Sequence, residues 1–287
     1  MSTFSDRAFI GFQKILPKRL LSALVYRLAR VRTPWIKNAL IRQFMAAFRI
    51  TLDEYVIQDV AEFDTFNAFF TRHLKPEARP WSTDPVVLAS PVDGRVSAQG
   101  HLTPDALWQT SIAAKQHHYS VRELLGDSTR ASLYHQGDFV TIYLAPYNYH
   151  RVHVPCDGTL THVRYCPGTL YSVNSTTARY VPQLFVRNER VVCELETAMG
   201  PVAMVLVGAL NVGCMSIEGL GEIRPDRAGE VAGFVPRAVR RGDLLGAFNM
   251  GSTVILVLPP KMLAQHCTVE HSVVRCGEPL IQLNPPV

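Results

Sequence analysis

The chain reads as an α+β protein in which N-terminal amphipathic helices rest on a mostly antiparallel β body, a barrel or a sandwich. Three observations predict this class. Helical spacing of apolar residues is confined to the first fifth of the chain. After Pro85 the pattern changes to short, valine-rich runs. Two Pro-x-Asp-Gly turns, Pro91-Val92-Asp93-Gly94 and Pro155-Cys156-Asp157-Gly158, lie between apolar stretches. We place one boundary accordingly, with a helical region over 1–84 and a β-rich domain over 85–287.

The helical region carries Leu20, Leu21, Leu24, Val25, Leu28 and Val31 at helical spacing, then Ile36, Leu40, Phe44, Ala47 and Phe48. Pro17 and Pro34 suit helix starts. Ten Lys or Arg stand against one acid, Asp6, in residues 1–50, a local balance of +9 in a chain of net charge +5. The basic excess therefore belongs to this region alone. Apolar faces edged by long cationic side chains fit an anionic lipid surface; the alternative is two ordinary helices with a solvated basic face. No recognition-helix or aromatic-interleaved pattern supports nucleic acid. Further on, Asp64 or Thr65 is placed to cap a short helix whose phenylalanines, Phe66, Phe69 and Phe70, dock on the core.

In the β-rich part, an Asp-Gly pair between apolar runs predicts a hairpin, so residues 86–96 and 154–160 are expected as two hairpins, with a hint of duplication. Strands are expected at 139–144, 184–186, 191–195, 202–207, 254–258 and 273–274, and one short helix within 119–126. With 47% hydrophobic residues a sizeable core is available. The six cysteines form no Cys-x-x-Cys pair and no zinc-spaced cluster, so they read as reduced thiols in a cytosolic setting and no metal is expected. No signal peptide is read at the start. The uncharged runs 197–217 and 244–260 are broken by glycine, asparagine and proline, which suits buried strands rather than spanning helices.

The chemistry concentrates in two places. Gly251-Ser252-Thr253 heads an apolar, β-branched run. A serine hydroxyl facing the preceding carbonyl carbon can attack it intramolecularly, and proximity replaces much of an acyl-transfer barrier. The resulting ester can leave by elimination once the α-proton of Ser252 is removed. The dehydroalanine left behind hydrolyses to a pyruvoyl group and ammonia. The plain alternative is a turn entering a core strand. The second place is Pro146-Tyr147-Asn148-Tyr149-His150-Arg151-Val152-His153-Val154-Pro155. His150 and His153 are open to three readings: metal ligands, an acid and a base at one site, or core histidines bonded to backbone. Asp93 either caps its own turn or orients a histidine, and the order Asp…His…Ser is compatible with a charge relay.

Together Gly251-Ser252-Thr253, Ser90-Pro91-Val92-Asp93-Gly94, Tyr149-His150-Arg151-Val152-His153 and Thr65-Phe66-Asn67-Ala68-Phe69-Phe70 resemble the bacterial type of phosphatidylserine decarboxylase. Pro167-Gly168, Ser172-Val173-Asn174, Arg187-Asn188-Glu189-Arg190, Val207-Gly208-Ala209 and Asn211-Val212-Gly213 fit the same family in the same order, from about Leu16 to Leu258. The resemblance implies a proenzyme cut between Gly251 and Ser252 into a β chain, 1–251, and an α chain, 252–287, that stay together. Asp93, His153 and Ser252 are the implied relay for the cut. Ser252 is the implied source of the covalent pyruvoyl cofactor, which forms a Schiff base with phosphatidylserine and releases CO2 and phosphatidylethanolamine. His150 is the implied acid/base of decarboxylation. The implied setting is the cytoplasmic side of the cell membrane, bound peripherally, and a homodimer of such heterodimers is compatible. The chain departs from the family pattern at Met250, at Asn148, where aspartate often stands, and at Ala114-Lys115-Gln116.

Two other readings compete. A membrane-lipid serine hydrolase would keep the Asp-His-Ser triad without self-cleavage, but no Gly-x-Ser-x-Gly elbow is present. A non-enzymatic lipid-surface binding module would use the Asp-Gly turns only for shape, and neither turn carries a carrier-type lysine.

Overall fold

The computed structural model describes residue 11 and residues 17–102, 107–112, 115–209, 214–223, 229–231, 233–249 and 252–285. Gly251, Met250, Ala114 and Asn211-Val212-Gly213 lie outside the described residues. Helix α1 spans Lys18–Ala29 and follows Pro17; α2 spans Pro34–Phe48 with Pro34 at its first position. Their inner faces bury Ala29 and Ile41 against Phe63, Phe66, Phe69 and Phe70, and Tyr149 of the β body joins the same cluster. The phenylalanines come from a short helix, Phe66–Phe70, whose first turn is capped by Thr65: its hydroxyl accepts from the Ala68 amide at 3.0 Å. On the outer side of α1, Leu20, Leu24 and Leu28 form a four-residue-spaced stripe left in solvent, with Trp35 of α2 also exposed.

Eighteen strands are described: β1 Val87–Ala89, β2 Gly94–His101, β3 Leu107–Ile112, β4 Lys115–Ser120, β5 Asp138–Leu144, β6 Arg151–His153, β7 Gly158–Cys166, β8 Arg190–Thr197, β9 Gly200–Val207, β10 Met215–Ile217, β11 Gly221–Ile223, β12 Gly229–Glu230, β13 Arg237–Val239, β14 Leu244–Phe248, β15 Ser252–Leu258, β16 Leu263–His266, β17 Val273–Val274 and β18 Pro279–Leu283. The principal sheet runs β12-β7-β8-β9-β15-β5-β2-β17, with β13 also pairing β7, and all its pairings are antiparallel. Two smaller sheets, β1-β18-β16 and β11-β10-β14-β6, share one core with it: Val254, Leu256 and Leu258 meet Leu88, Val152, Leu245 and Leu280. The alternate residues Ile255 and Val257 point to a second core under short helices at Val121–Leu125, Ser175–Tyr180 and Leu184–Arg187. This two-sided burial is why β15 reads as an uninterrupted apolar run rather than an alternating one. Every residue of β15 is buried.

The predicted class stands, with corrections. Among the described residues no pairing closes the principal sheet into a barrel, since β17 and the β12/β13 end do not meet; the body is layered. Residues 184–186, expected as a strand, form the helix Leu184–Arg187, because Asn188 turns the chain in front of β8: its amide side chain bonds the Tyr171 and Gly208 carbonyls at 2.8 and 2.9 Å. The expected strands at 139–144, 191–195, 202–207, 254–258 and 273–274 are present, as is the short helix, capped by Ser120 and Gly126.

The Asp-Gly turns are not hairpins. β1 pairs with β18 while β2 pairs with β5; β6 pairs with β14 while β7 pairs with β8. Each turn moves the chain from a small sheet to the principal one, and the two turns are related by a local two-fold arrangement. The Ala89 amide donates to the Pro155 carbonyl at 3.1 Å, and the His153 amide donates to the Pro91 carbonyl at 2.9 Å. Asp93 Oδ1 accepts from the Cys276 amide and Asp157 Oδ1 from the Arg241 amide, both at 2.8 Å. The partners belong to matching segments, Arg275-Cys276-Gly277-Glu278 and Arg240-Arg241-Gly242-Asp243. Gly277 and Gly242 both need positive φ, 89° and 87°, and a Cβ on either would press within 3.2–3.3 Å of the Trp81 indole wedged between them.

Candidate active site

Asp93 lies at the first corner. The Arg79 guanidinium grips its carboxylate by two bonds, Nε to Oδ1 at 3.1 Å and Nη2 to Oδ2 at 2.7 Å, while the Cys276 amide takes Oδ1 as well. Arg79 also meets Glu54 at 3.0 Å, and Glu54 pairs with Arg275. Burial alone would push the Arg79 guanidinium down. Its bonds to Asp93 and Glu54 outweigh that and hold it above the ordinary value, so the fork stays charged.

His153 lies at the second corner, at the end of β6. Its Nδ1 is 2.7 Å from the Gly242 carbonyl and its Nε2 is 2.8 Å from the Tyr149 hydroxyl. A carbonyl only accepts, so Nδ1 carries the proton and Nε2 presents its lone pair to the Tyr149 O–H. Burial pushes the Tyr149 phenol up, keeping it a donor. Burial pushes His153 below the usual histidine range; the Gly242 bond and the charges of Asp93 and Asp243 oppose this, and Arg151 reinforces it. Trp81 packs on the same ring at 5.8 Å between centroids. Asp93 and His153 thus interact through space, but no hydrogen bond joins them in this structure. The tautomer is set by Gly242.

His150 precedes β6 and is fully buried, its ring 4.1 Å from that of Phe70. Nδ1 donates to the Asn148 carbonyl at 2.8 Å, which leaves the lone pair on Nε2, and Nε2 is buried without a partner. Burial pushes this histidine down to about 3, and the Asn148 bond only partly opposes it. Asn148 Oδ1 accepts from the Ala145 amide at 2.8 Å. An aspartate oxygen could accept the same bond, so the departure leaves this turn intact.

Ser252 opens β15. It pairs with Leu144 of β5, and its hydroxyl is buried with no partner among the described residues. His150 is tied to the same end of the sheets, because the Phe248 amide donates to its carbonyl at 2.9 Å. β14 ends at Phe248, the start of the segment that leads to Ser252, and Leu144 at the end of β5 pairs with Ser252. Asn249 in that segment is held by Asn67 of the Phe66–Phe70 helix at 3.1 Å and bonds the Ser216 hydroxyl at 3.3 Å. The structure therefore gathers Ser252 and His150 at one end of the sheets. Asp93 and His153 lie at the two corners, the second with Trp81 on its ring, and no hydrogen bond among the described residues joins either to Ser252.

Sequence reasoning did not single out Arg79, Tyr149, Gly242, Trp81 or Cys276 for these roles. One signal was available for Gly242 and Cys276: the Arg-x-Gly-acid segments at 240–243 and 275–278 repeat, as the Asp-Gly turns do.

Comparison with known proteins bears on this arrangement. The model of the family described as phosphatidylserine decarboxylase matches residues 66–282, and a second, described as PSD, matches residues 8–49. Proteins named phosphatidylserine decarboxylase proenzyme are close over most of the chain. That of Acidovorax ebreus is 45% identical over 260 residues, 89% of this chain and 90% of the relative. That of Idiomarina loihiensis is 40% identical over 288 residues, 97% of each. That of Pseudomonas aeruginosa is 42% identical over 269 residues, 91% of this chain and 92% of the relative. These matches place the chain among enzymes of the carboxy-lyase class, related to proteins that are made as precursors. The chain belongs to the phosphatidylserine decarboxylase family.

Proposed function

We propose that this chain is a precursor that cuts itself between Gly251 and Ser252 and then decarboxylates phosphatidylserine to phosphatidylethanolamine and CO2 at the pyruvoyl group made from Ser252. The observation that carries the reading is the Ser252 hydroxyl: buried, without a partner among the described residues, and at the head of β15 in the Gly-Ser-Thr that carries the resemblance. Such a hydroxyl is committed to no other acceptor among the described residues, so its attack on the preceding carbonyl breaks none of the described hydrogen bonds. His153 is the base. The Gly242 bond puts the lone pair on its Nε2, and Asp93 favours the imidazolium that forms. Tyr149 must yield Nε2 for the serine proton to reach it.

The pyruvoyl group supplies an electrophilic carbonyl that takes the substrate amine and accepts the electrons released with CO2. The residues around Ser252 fit such a group, since Ser252 is fully buried at the head of a strand whose every residue is buried. His150 serves proton transfer at Nε2, the one ring nitrogen left open by Asn148. It is neutral in the uncut chain, and an anionic headgroup beside it would raise its proton affinity. Residues 1–84 act as a foot on the cytoplasmic face of the membrane: the exposed stripe of α1 enters the lipid interface and the basic side chains meet anionic headgroups. No described helix is long and apolar enough to cross a membrane, which suits peripheral attachment. A dimer of the processed heterodimers is compatible with this arrangement.

Mass spectrometry of wild type beside Ser252→Ala tests the reading. Two chains are expected from the first, the smaller with a pyruvoyl terminus, and one intact chain without decarboxylase activity from the second. Active wild-type protein with an uncut chain refutes it, and labelling of intact wild type by a serine-directed reagent would point to the hydrolase instead.

A further inference from the structure

A cavity of about 340 Å³ opens beside β15 on the face opposite the Ser252 side chain. Thr253 lines it with a hydroxyl that is buried and has no hydrogen-bond partner among the described residues. Arg95 of β2 and His271 stand on the same lining, with Tyr143, Asn148 and Asn174. No acidic residue contributes to the described lining, so the fixed charge of the cavity is positive. Arg95 is held in place by a bond from Nη1 to the His271 carbonyl, and its Nε and Nη2 make no hydrogen bond among the described residues. A guanidinium fixed at one nitrogen with two donors left over, facing a cavity with an unpartnered buried hydroxyl, is equipped for an oxyanion with several acceptor oxygens.

We propose that this cavity binds the phosphodiester of the lipid headgroup, with Arg95 as the principal anchor and Thr253 as a second donor. The inference rests on the decarboxylase reading above and names the part of the site that reads the phosphate. The spacing is suitable. Residues 252 and 253 face opposite sides of β15, but Ser252 is its first residue, so a headgroup reacting there, with its phosphate one methylene and one ester oxygen from the reacting carbon, reaches the cavity around the strand end rather than through the sheet. Phosphate binding would then orient the headgroup carboxylate at the chemistry and discriminate phosphatidylserine from free serine.

The test is calorimetric titration of the uncut Ser252→Ala chain with sn-glycero-3-phosphoserine, with serine and with inorganic phosphate, repeated with Arg95→Gln and Arg95→Lys added. Arg95 is exposed, so neither change opens the core. Glycerophosphoserine is expected to bind at least roughly tenfold more weakly to the Gln variant, with partial recovery in the Lys variant. Serine is expected to bind both alike. Equal binding of glycerophosphoserine to parent and Gln variant overturns the assignment, as does inorganic phosphate matching the diester, which would make the cavity a free-phosphate site. In the processed enzyme, Arg95→Gln should raise KM more than it lowers kcat. Failure of the wild-type chain to cut would instead count against the decarboxylase reading, independently of these titrations.

Discussion

His150 is buried as a neutral imidazole, and that makes it an acid-labile point in the fold. In the unfolded chain it titrates near 6.5; in the folded chain it is pushed down to about 3 by burial. Between those values the unfolded state binds a proton that the folded state refuses, so stability rises with pH through this window and is lost as pH falls through it. One pH unit corresponds to about 1.4 kcal/mol. On going from ~pH 7.5 to ~pH 4.5, about two units below the unfolded value, this one group should remove about 3 kcal/mol. The measurement is urea unfolding at both pH values, in the single-chain Ser252→Ala background, of the parent and of His150→Asn. Asparagine can keep the bond to the Asn148 carbonyl but does not titrate. The absolute stability of the variant will fall through lost packing on Phe70. The quantity of interest is the change between the two pH values, in which other depressed histidines, His73, His153 and His266, cancel. The variant should lose about 3 kcal/mol less than the parent on acidification. An equal loss in both would show that His150 is hydrated or paired in solution, and the argument for an open Nε2 would fall with it.

Three further outcomes are expected. Tyr149→Phe removes the donor that stabilises the neutral form of His153, so the acid limb of the self-cleavage profile should move to higher pH by roughly half to one unit, the worth of one hydrogen bond; Arg151, Asp93, Asp243 and His73 face the same ring and are unchanged. A reduced rate with an unmoved midpoint would make Tyr149 a packing residue only. Arg79→Met strips the buried Asp93 of its charged partner and should cost about 3–5 kcal/mol in chemical denaturation; a change below about 1 kcal/mol would mean that the pair is solvated. Leu20→Ser with Leu24→Ser alters only exposed positions of α1, and should weaken sedimentation with anionic vesicles by at least roughly tenfold while leaving thermal unfolding in place. Undiminished vesicle binding would move the lipid contact elsewhere.

The parts of this fold that were legible in the sequence are those written locally. The Thr65 cap, the helix flanked by Ser120 and Gly126, and the apolar runs of β8, β9 and β15 each follow from neighbouring residues. Residues 184–186 misled because a short apolar run fits a buried strand or a buried helix equally, and distant bonds from Asn188 decided between them. Asp93-Gly94 and Asp157-Gly158 were visible as turns, but which sheets they connect depends on β18 and β14, far along the chain. The same limit applied at the site. His150, His153 and Ser252 stood out by residue type, whereas Gly242 acts through a backbone carbonyl and Arg79 through a carboxylate fourteen positions away. Neither role leaves a local trace.

The placement of β15 bears on what a break before Ser252 would do to the molecule. The strand lies between β5 and β9, bonded along both edges, and β17 and β18 of the same segment are stitched to β2 and β1. A nick there would unpair no ladder within these strands, so β15 to β18, Ser252 to Leu283, would stay embedded as an inlay, separable from the larger fragment only by denaturation. The fresh chain end could then adapt to an incoming headgroup while everything behind it remained fixed.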